Sequence, residues 1–128
     1  MVDRPNLIYV ARVYDPIVPE HGARLLVDRL WPRGLAKAQL SLDGWPKAVT
    51  PSTALRQWFH ADPSRWPEFQ TRYRAELQAD SQGVQECLDW VKKGPVTLLT
   101  AAHDRQHNHA VVLRDYLLAA LDGASAAG

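Results

Sequence analysis

Cysteine is nearly absent from this chain, in which Cys87 is the only one among 128 residues. A single thiol excludes an intramolecular disulfide and any zinc site built on several cysteines. Long hydrophobic runs are also missing, since no apolar stretch approaches the roughly 18 residues that cross a bilayer. The first residues lack the charged-then-apolar pattern of a signal peptide. We therefore expect a soluble, cytoplasmic protein.

An excess of charge of one sign is also lacking. Fifteen Lys and Arg stand against 14 Asp and Glu, a net charge of +1, which argues against the phosphate neutralisation that drives duplex binding. The basic residues are nevertheless clustered, because Arg24, Arg29, Arg33 and Lys37 lie close together in the N-terminal half. Guanidinium groups bind oxyanions bidentately. A local anion pocket therefore remains compatible with a nearly neutral chain.

What is present indicates one folded domain. A hydrophobic content of 46% over 128 residues is enough for a single core but too little for two. Residues 1–122 are expected to form this domain. Residues 123–128 hold no large apolar side chain and no charge, so we expect a flexible C-terminal tail.

Three segments have the pattern of strands. Leu7–Tyr14 is rich in β-branched and aromatic residues and ends at a proline, while Arg24–Asp28 and Val96–Ala101 are short apolar runs typical of strands buried on both faces. The Gly94-Pro95 turn that precedes the last strand follows a helical pattern, as in units with a parallel core. The order of elements predicts an α/β fold, a short, mostly parallel sheet flanked by helices.

Four segments repeat apolar residues at helical spacing, at about 51–60, 65–77, 84–93 and 107–121. The polar residues that precede three of them predict N-caps at Thr50, Ser64 and Asp104. Cys87 lies in the apolar stripe of the third segment, so we expect its thiol to be buried in the core.

Ligands of open α/β sheets bind beyond the carboxyl ends of strands, where two polar segments are expected here. The first, Asp28–Gly34, holds Arg29 and Arg33, which could clamp a phosphate or carboxylate, and Trp31, which could stack on a planar group. The alternative is structural, with Trp31 in the core and the Pro and Gly residues forming a turn.

The second segment, His103–His109, places three imidazoles at a strand-to-helix junction and suggests a metal. The spacing weakens this hypothesis, because His107 and His109 are two residues apart and point to different sides of a helix. His109 borders the apolar stripe of the last helix, where it could be a hydrogen-bonded core residue or a general acid or base.

Arg56 and His60 form a third candidate site. They are four residues apart on the first predicted helix, so their side chains share one face and could bind one anion. The alternative is that His60 only complements the negative end of the helix dipole.

Five short motifs carry a family resemblance: Arg12–Asp15, Val27–Gly34, Thr50–Thr53, Phe59-His60 and Asn108–Ala110. From about residue 8 to 121 the chain resembles the YeaO-like family, a bacterial domain of unknown function. The resemblance implies a small cytoplasmic α/β protein with no demonstrated cofactor. The chain departs from the family pattern at His103, where relatives commonly carry Lys or Arg. The polar and special residues that match the family pattern are Arg12, Tyr14, Asp28, Arg29, Trp31, Arg33, Gly34, Ser52, Arg56, His60, Asn108 and His109.

The leading hypothesis is a pocket for a small anionic molecule, phosphate- or nucleotide-like. Four arginines would hold the charge and Trp31 would stack on a planar group; if the site is catalytic, His109 or His60 carries the proton and Asp28 orients it. The expected ligand-binding residues are Arg12, Tyr14, Arg29, Trp31, Arg33, Gly34, Ser52, Arg56 and Asn108. The alternatives are a nucleic-acid-binding or regulatory module using the same residues, and a metal protein built on His60, His103, His107 and His109. The reaction, the cofactor and the oligomeric state stay open.

Overall fold

The computed structural model describes residues 8–127, with side chains described as far as residue 122. Its sheet has three parallel strands, β1 (Ile8–Arg12), β2 (Ala23–Leu26) and β3 (Val96–Thr100), in the order β1-β3-β2. Both outer strands begin opposite Val96, so the carboxyl ends of all three meet at one edge. The predicted α/β class with a short parallel sheet flanked by helices is confirmed.

The strands are shorter than their sequence patterns. Of the first predicted strand, Leu7 lies outside the described residues, and β1 ends at Arg12 because a turn follows: the Asp15 backbone N–H donates to the Arg12 carbonyl, and the Asp15 carboxylate accepts from the Arg12 N–H. The second strand ends at Leu26, although the Val27 N–H still donates to Leu99 across the sheet.

The outer edge of β2 is covered by a segment that the sequence did not reveal. A short helix, α1 (Lys37–Leu40), leads into a stretch in which Asp43 donates to the Arg24 carbonyl and Gly44 accepts from Leu26. The buried Arg24 guanidinium donates to the carbonyls of Leu40 and Ser41. Arg24 therefore anchors this cover and is not available to an anion.

The four predicted helices are present as α2 (Thr53–Ala61), α3 (Trp66–Ala79), α4 (Ser81–Lys93) and α5 (His109–Ala127). The backbone of α5 extends into the predicted C-terminal tail. That tail begins where side chains are no longer described and stays a prediction.

All three predicted N-caps are wrong. The cap of α2 is Ser52, whose hydroxyl accepts from the Leu55 N–H, while Thr50 belongs to the preceding turn and donates to Lys47. A 3-10 turn, Pro63–Arg65, replaces the cap expected at Ser64. In each case a turn ahead of the helix uses the polar residue first.

The cap of α5 is also displaced from its predicted place. Asn108 accepts from the Val111 N–H, whereas Asp104 accepts from the N–H groups of Gln106 and His107 in a separate turn. The helix therefore starts two residues later than its apolar pattern suggested.

Successive strand residues point to opposite faces of the sheet and build two cores of unequal size. The large core lies on the side of α2 to α5 and includes Leu25, Leu98 and, as predicted, the buried Cys87. The small core contains Leu26 and Leu99 and is covered by α1 and loops. The sheet thus has a helical face and a thin face. Of the helices described, none is long and apolar enough to span a membrane.

Candidate ligand-binding cleft

A cleft of about 640 Å³ opens at the carboxyl edge of the sheet, on its helical side. The ends of β2 and β3 form its floor, the α2–α3 corner forms one wall, and the loop from β3 to α5 forms the other. Its lining residues are Asp28, Arg29, Pro51, Arg56, Phe59, His60, Pro63, Ser64, Trp66, Phe69, Thr100, Ala101, Ala102, His103, Asp104, His107, Asn108 and His109.

Asp28 and His109 form a largely buried, hydrogen-bonded polar pair in this cleft. The Nε2 atom of His109 lies 2.9 Å from Oδ1 of Asp28, and both side chains are mostly buried. The carboxylate also accepts from the Thr100 hydroxyl at 2.7 Å and from the Ala101 backbone N–H at 2.8 Å. Asp28 therefore ties the end of β2 to the end of β3 and to the start of α5.

These contacts determine the charge of the carboxyl group. Burial by itself raises the pKa of Asp28, but the hydrogen bond and the positive charge offered by His109, with the bonds from Ala101 and Thr100, outweigh it. The pKa of Asp28 is consequently lowered, so the group is a carboxylate at neutral pH.

The position of one proton of the His109 ring follows from its neighbours. Nε2 lies 2.8 Å from the Val27 carbonyl oxygen as well as close to Asp28, and both of these atoms are acceptors. Nε2 must therefore carry a proton. The other ring nitrogen, Nδ1, makes no hydrogen bond within residues 8–127.

Two guanidinium groups supply positive charge to the cleft. Arg29 is exposed at the end of β2, whereas the Arg56 Nε–H is buried and has no hydrogen-bond partner among the described residues. His60 lies on the same face of α2 as Arg56, as the sequence predicted, and both line the cleft. The face they share therefore carries the positive charge of the Arg56 guanidinium.

Aromatic rings form the apolar wall. Phe69 stacks on Phe59, with centroids 4.5 Å apart, and on Trp66 at 5.7 Å. His107, from the opposite loop, meets the Trp66 ring edge-on at 5.2 Å. The wall offers flat apolar surface beside the cationic groups.

The loop from β3 to α5 is held from the β1 side. Arg12 donates to the carbonyls of Ala101 and Ala102, and Arg105 makes two hydrogen bonds, at 2.7 and 2.8 Å, to the Asp15 carboxylate. The bond from Arg105 is the main reason why the pKa of Asp15 falls to about 2. Arg12 therefore positions the loop from outside the cleft.

Within the loop, Asp104 and Asn108 are engaged by the protein itself. Hydrogen bonds from the Gln106 and His107 N–H groups lower the pKa of Asp104, which also contacts the His107 ring. The Asn108 side chain donates to the Asp104 carbonyl while it caps α5. Both residues line the cleft, and their hydrogen bonds stabilise the loop and the start of α5.

The residues predicted from the sequence separate into two groups. Six line the cleft: Asp28, Arg29, Arg56, His60, Asn108 and His109. The other six lie outside its lining: Arg12, Tyr14, Trp31, Arg33, Gly34 and Ser52.

The outlying residues have visible structural contacts. The Trp31 indole donates to Leu35 and packs edge-on against Trp45 in the small core, so it does not stack in the cleft. The Tyr14 hydroxyl donates to the carbonyl of the exposed Arg33. Gly34 has a φ of +80°, a conformation that serves the turn. In addition to capping α2, Ser52 binds the Glu76 carboxylate through its N–H and hydroxyl.

Sequence reasoning missed Phe59, Trp66 and Thr100 as lining residues. Both aromatic residues lie on apolar helical stripes, which indicate core packing, yet each is only half-buried. Thr100 ends a strand and looks like any β-branched residue there. Only its position after the third strand, at the shared carboxyl edge, could have pointed to it.

The fold provides no support for the metal hypothesis among the described residues. Within residues 8–127, no group of three or more His, Cys, Asp or Glu side chains is placed to hold a metal ion. His107 instead contacts Asp104, and His109 contacts Asp28.

Comparison with known proteins gives the chain a family. Residues 7–128 match the family model described as the inactive DUF488-N3 subclade. The chain is 47% identical to the uncharacterised protein YeaO of Escherichia coli K12 over 110 residues, which cover 86% of this chain and 96% of YeaO.

Two mycobacterial proteins are similar over a comparable length. The uncharacterised proteins Mb3100c of Mycobacterium bovis and Rv3073c of Mycobacterium tuberculosis are each 41% identical over 114 residues, covering 89% of this chain and 96% of theirs. No solved structure matches the chain. The YeaO-like resemblance is therefore confirmed, and the chain belongs to the bacterial family described as the inactive DUF488-N3 subclade.

Proposed function

We propose that this protein binds a small anionic molecule, phosphate- or nucleotide-like, in the cleft, and that it binds the molecule without converting it. The observation that carries the proposal is the buried Nε–H of Arg56, which has no acceptor within residues 8–127. Leaving such a donor unpaired costs about 1–3 kcal/mol. A bound anion would supply the missing acceptor and offset that cost.

The chemistry of the remaining lining supports the same ligand class. A guanidinium group binds the two oxygens of a carboxylate or phosphate in parallel, and Arg29 and His60 add further donors around Arg56. Phe59 and Trp66 offer flat surface to a planar group. The volume of about 640 Å³ lies within the range of roughly 300–1,000 Å³ that small-molecule sites occupy.

Binding without turnover agrees with the family's description as inactive. Acid–base catalysis is the second candidate, and the Asp28–His109 pair favours it, because a carboxylate that orients an imidazole is the arrangement of many proton-transfer sites. The two candidates differ in whether a bound molecule is recovered unchanged after long incubation with the protein. We place the protein in the cytoplasm, where its single, buried thiol stays reduced.

The test compares two arginine variants. A panel of nucleotides, sugar phosphates and aromatic carboxylates is screened for an increase in melting temperature with the wild type, Arg56→Met and Arg33→Met. Arg33 is a matched control, since its guanidinium group is exposed and outside the cleft lining. We expect Arg56→Met to abolish ligand stabilisation and to leave the ligand-free protein as stable as the wild type or up to ~1 kcal/mol more stable. Arg33→Met should keep the ligand effect.

The opposite pattern would contradict the proposal. If Arg33→Met abolishes ligand stabilisation and Arg56→Met does not, the ligand binds around residues 31–34 and not in the cleft. If no anion of the panel stabilises the wild type but single-stranded oligonucleotides bind at low salt, the nucleic-acid alternative replaces it.

A further inference from the structure

We infer that the ligand of the cleft is an aromatic monoanion, a planar ring that carries one negative charge in a carboxylate or phosphodiester group; this inference rests on the proposed function. It excludes two kinds of anion that the proposed function alone would admit, aliphatic anions and dianions such as phosphomonoesters. The reasons lie in the charges that line the cleft, in their burial, and in the rings of its wall.

The guanidinium groups of the lining limit the charge that the cleft can take. Within residues 8–127, neither Arg29 nor Arg56 makes an ion pair with a carboxylate. Arg29 is exposed, so water and salt screen its charge. Arg56 is half-buried, and its Nε–H is buried without a partner in the same part of the chain. A negative charge inside the cleft therefore meets one guanidinium group that is itself partly withdrawn from water.

The acids and the best-ordered imidazole of the lining limit the charge further. Asp28 and Asp104 are the acidic residues among the described lining, and at pH 8 both are carboxylates, far above the pH at which aspartic acid titrates. They balance the two guanidinium groups. A proton held by His109 would lie beside the Asp28 carboxylate and make that pair neutral. Arginine, aspartate and His109 side chains together thus give the lining a net charge of zero or +1, which one negative charge on a ligand matches.

The remaining imidazoles determine the pH at which this balance can be tested. His60, His103 and His107 line the cleft and are exposed. Imidazole groups commonly change their charge between pH 5 and 8, so exposed ones carry little charge at pH 8. The charge preference of the cleft is therefore measured at pH 8.

A second negative charge would be costly in this cleft. A charge that is removed from water needs a partner of opposite sign, because its desolvation otherwise costs more than it gains. Arg56 can bind the two oxygens of one anionic group in parallel. The additional charge of a phosphomonoester would share the cleft with Asp28 and Asp104, and only the exposed Arg29 would offset it. Carboxylates and phosphodiesters have a single charge spread over two oxygens and avoid this cost.

The aromatic wall favours a ring on the same ligand. Phe59 and Trp66 line the cleft, are only half-buried, and pack on the buried Phe69. The planes of Trp66 and Phe69 are only 18° apart. A planar ring that stacks on this wall removes apolar surface from water on both partners. An aliphatic anion of the same charge lacks this contact.

The test varies the charge and the ring separately. Dissociation constants for wild type are measured at pH 8 and constant ionic strength by nuclear magnetic resonance titration. Methyl phenyl phosphate and benzoate have a ring and one charge, phenyl phosphate has a ring and two charges, and dimethyl phosphate has one charge and no ring. We expect the tighter of the two aromatic monoanions to bind at least about threefold more tightly than phenyl phosphate. It should bind at least about fivefold more tightly than dimethyl phosphate. Which of the two is tighter distinguishes a phosphodiester from a carboxylate ligand.

A pair of aspartate variants tests the part that the lining acids play. Asp104→Asn removes one carboxylate and keeps the side-chain oxygen that accepts from the Gln106 and His107 N–H groups, so the turn is retained. Asp89→Asn removes the same charge from an exposed site on α4 outside the lining. In Asp104→Asn, phenyl phosphate should gain at least about twofold in affinity relative to methyl phenyl phosphate, and in Asp89→Asn the ratio should stay unchanged.

The contrary results overturn the inference and leave the proposed function intact. They are a dianion that binds as tightly as the monoanions, dimethyl phosphate that binds as tightly as the ring compounds, and an affinity ratio that responds equally in both aspartate variants. If none of the four probes binds, the anion that stabilises the protein through Arg56 decides: a single charge on an aromatic compound supports the inference, and an aliphatic or doubly charged compound overturns it. If no anion stabilises the protein at all, the proposed function fails as well.

Discussion

Two polar loops follow neighbouring strands at the same edge of the sheet, and their side chains lie in different places. The loop after β3 stays at the cleft, since His103, Asp104 and His107–His109 all line it. The loop after β2 divides: Asp28 and Arg29 enter the cleft, while Trp31 packs into the small core on the thin face. The segment Asp28–Gly34 is continuous in sequence but contributes to two places. Its first two residues line the cleft, and Trp31 packs in the small core that covers the thin face.

The difference arises from what each face of the sheet lacks. Helices α2 to α5 bury the helical face, so polar groups at its edge are free to form a cleft. Within residues 8–127, only the four-residue α1 and loops cover the thin face, and the indoles of Trp31 and Trp45 supply apolar surface there. Packing thus explains Trp31, which belongs to a family motif, and its neighbour Trp45.

The largest effect should come from the residue that joins both strands to the cleft. Asp28→Ala removes the acceptor shared by Thr100, Ala101 and His109 and leaves these donors without it, so we expect a loss of about 3 kcal/mol in the free energy of unfolding. Urea denaturation measures it. Asp43→Ala, which removes one hydrogen bond to the β2 backbone at the covered edge, is the control and should cost less. An equal cost for the two would mean that Asp28 is not a special hub.

A pair of tryptophan variants separates the two faces. We expect Trp31→Ala and Trp66→Ala each to lower the free energy of unfolding by about 2 kcal/mol, because both rings are half-buried. Only Trp66→Ala should weaken binding of a ligand found in the panel, measured by calorimetry on the folded variants. Loss of binding in Trp31→Ala with binding retained in Trp66→Ala would reverse the assignment of the two sites.

A smaller effect is expected for a residue that the family resemblance placed in the site. Ser52→Ala removes the cap of α2 and a hydrogen bond to Glu76, and should cost about 1 kcal/mol of stability with ligand affinity unchanged. Thermal unfolding and calorimetry on the same sample check both. Ser64→Ala, which loses a hydroxyl bond on the exposed 3-10 turn, is the control for stability alone, because Ser64 also lines the cleft, and its stability should be nearly unchanged. A marked fall in affinity for Ser52→Ala alone would return Ser52 to the ligand site.

The smallest effect concerns the bridge that holds the loop after β3. The pKa of Asp15 is about 2 in the folded protein and 3.8 as its ordinary value. A lowered folded pKa stabilises the protein above the ordinary value, and this contribution is lost as the pH falls from about 4 toward 2. Because Arg105 is 60% exposed, we expect Asp15→Asn to cost only about 0.5 kcal/mol at neutral pH.

The pH dependence provides the check. The difference in stability between Asp15→Asn and the wild type should shrink as the pH falls to about 2, as followed by urea denaturation. A difference that is the same at both pH values would show that the bridge acts through packing and not through charge.

Much of the fold could be predicted because its helices and strands produce local patterns of apolar residues in the sequence. The stripe of Phe69, Tyr73 and Leu77 and the buried Cys87 follow from helical spacing. The caps could not be predicted, because several polar residues compete for each turn and only the folded backbone decides between them.

Part of the candidate site could be predicted from the sequence for a similar reason. Asp28 and His109 follow from the rule that ligands lie beyond the carboxyl ends of parallel strands. The direction in which Trp31 leaves that edge depends on Leu35 and Trp45, which no local pattern links to it. The aromatic wall was hidden because apolar residues at helical spacing look the same whether they face a core or a cleft.

The measurement that tests the central claim most directly is the titration of ¹⁵N-labelled wild type with the tightest-binding compound of the panel, followed through the backbone amide signals. We predict that the largest shifts fall at residues 28–29 and 100–109, around the cleft, while residues 31–34 stay nearly unchanged. Largest shifts at residues 31–34 with the signals of 100–109 unmoved would contradict the account and place the ligand on the loop after β2.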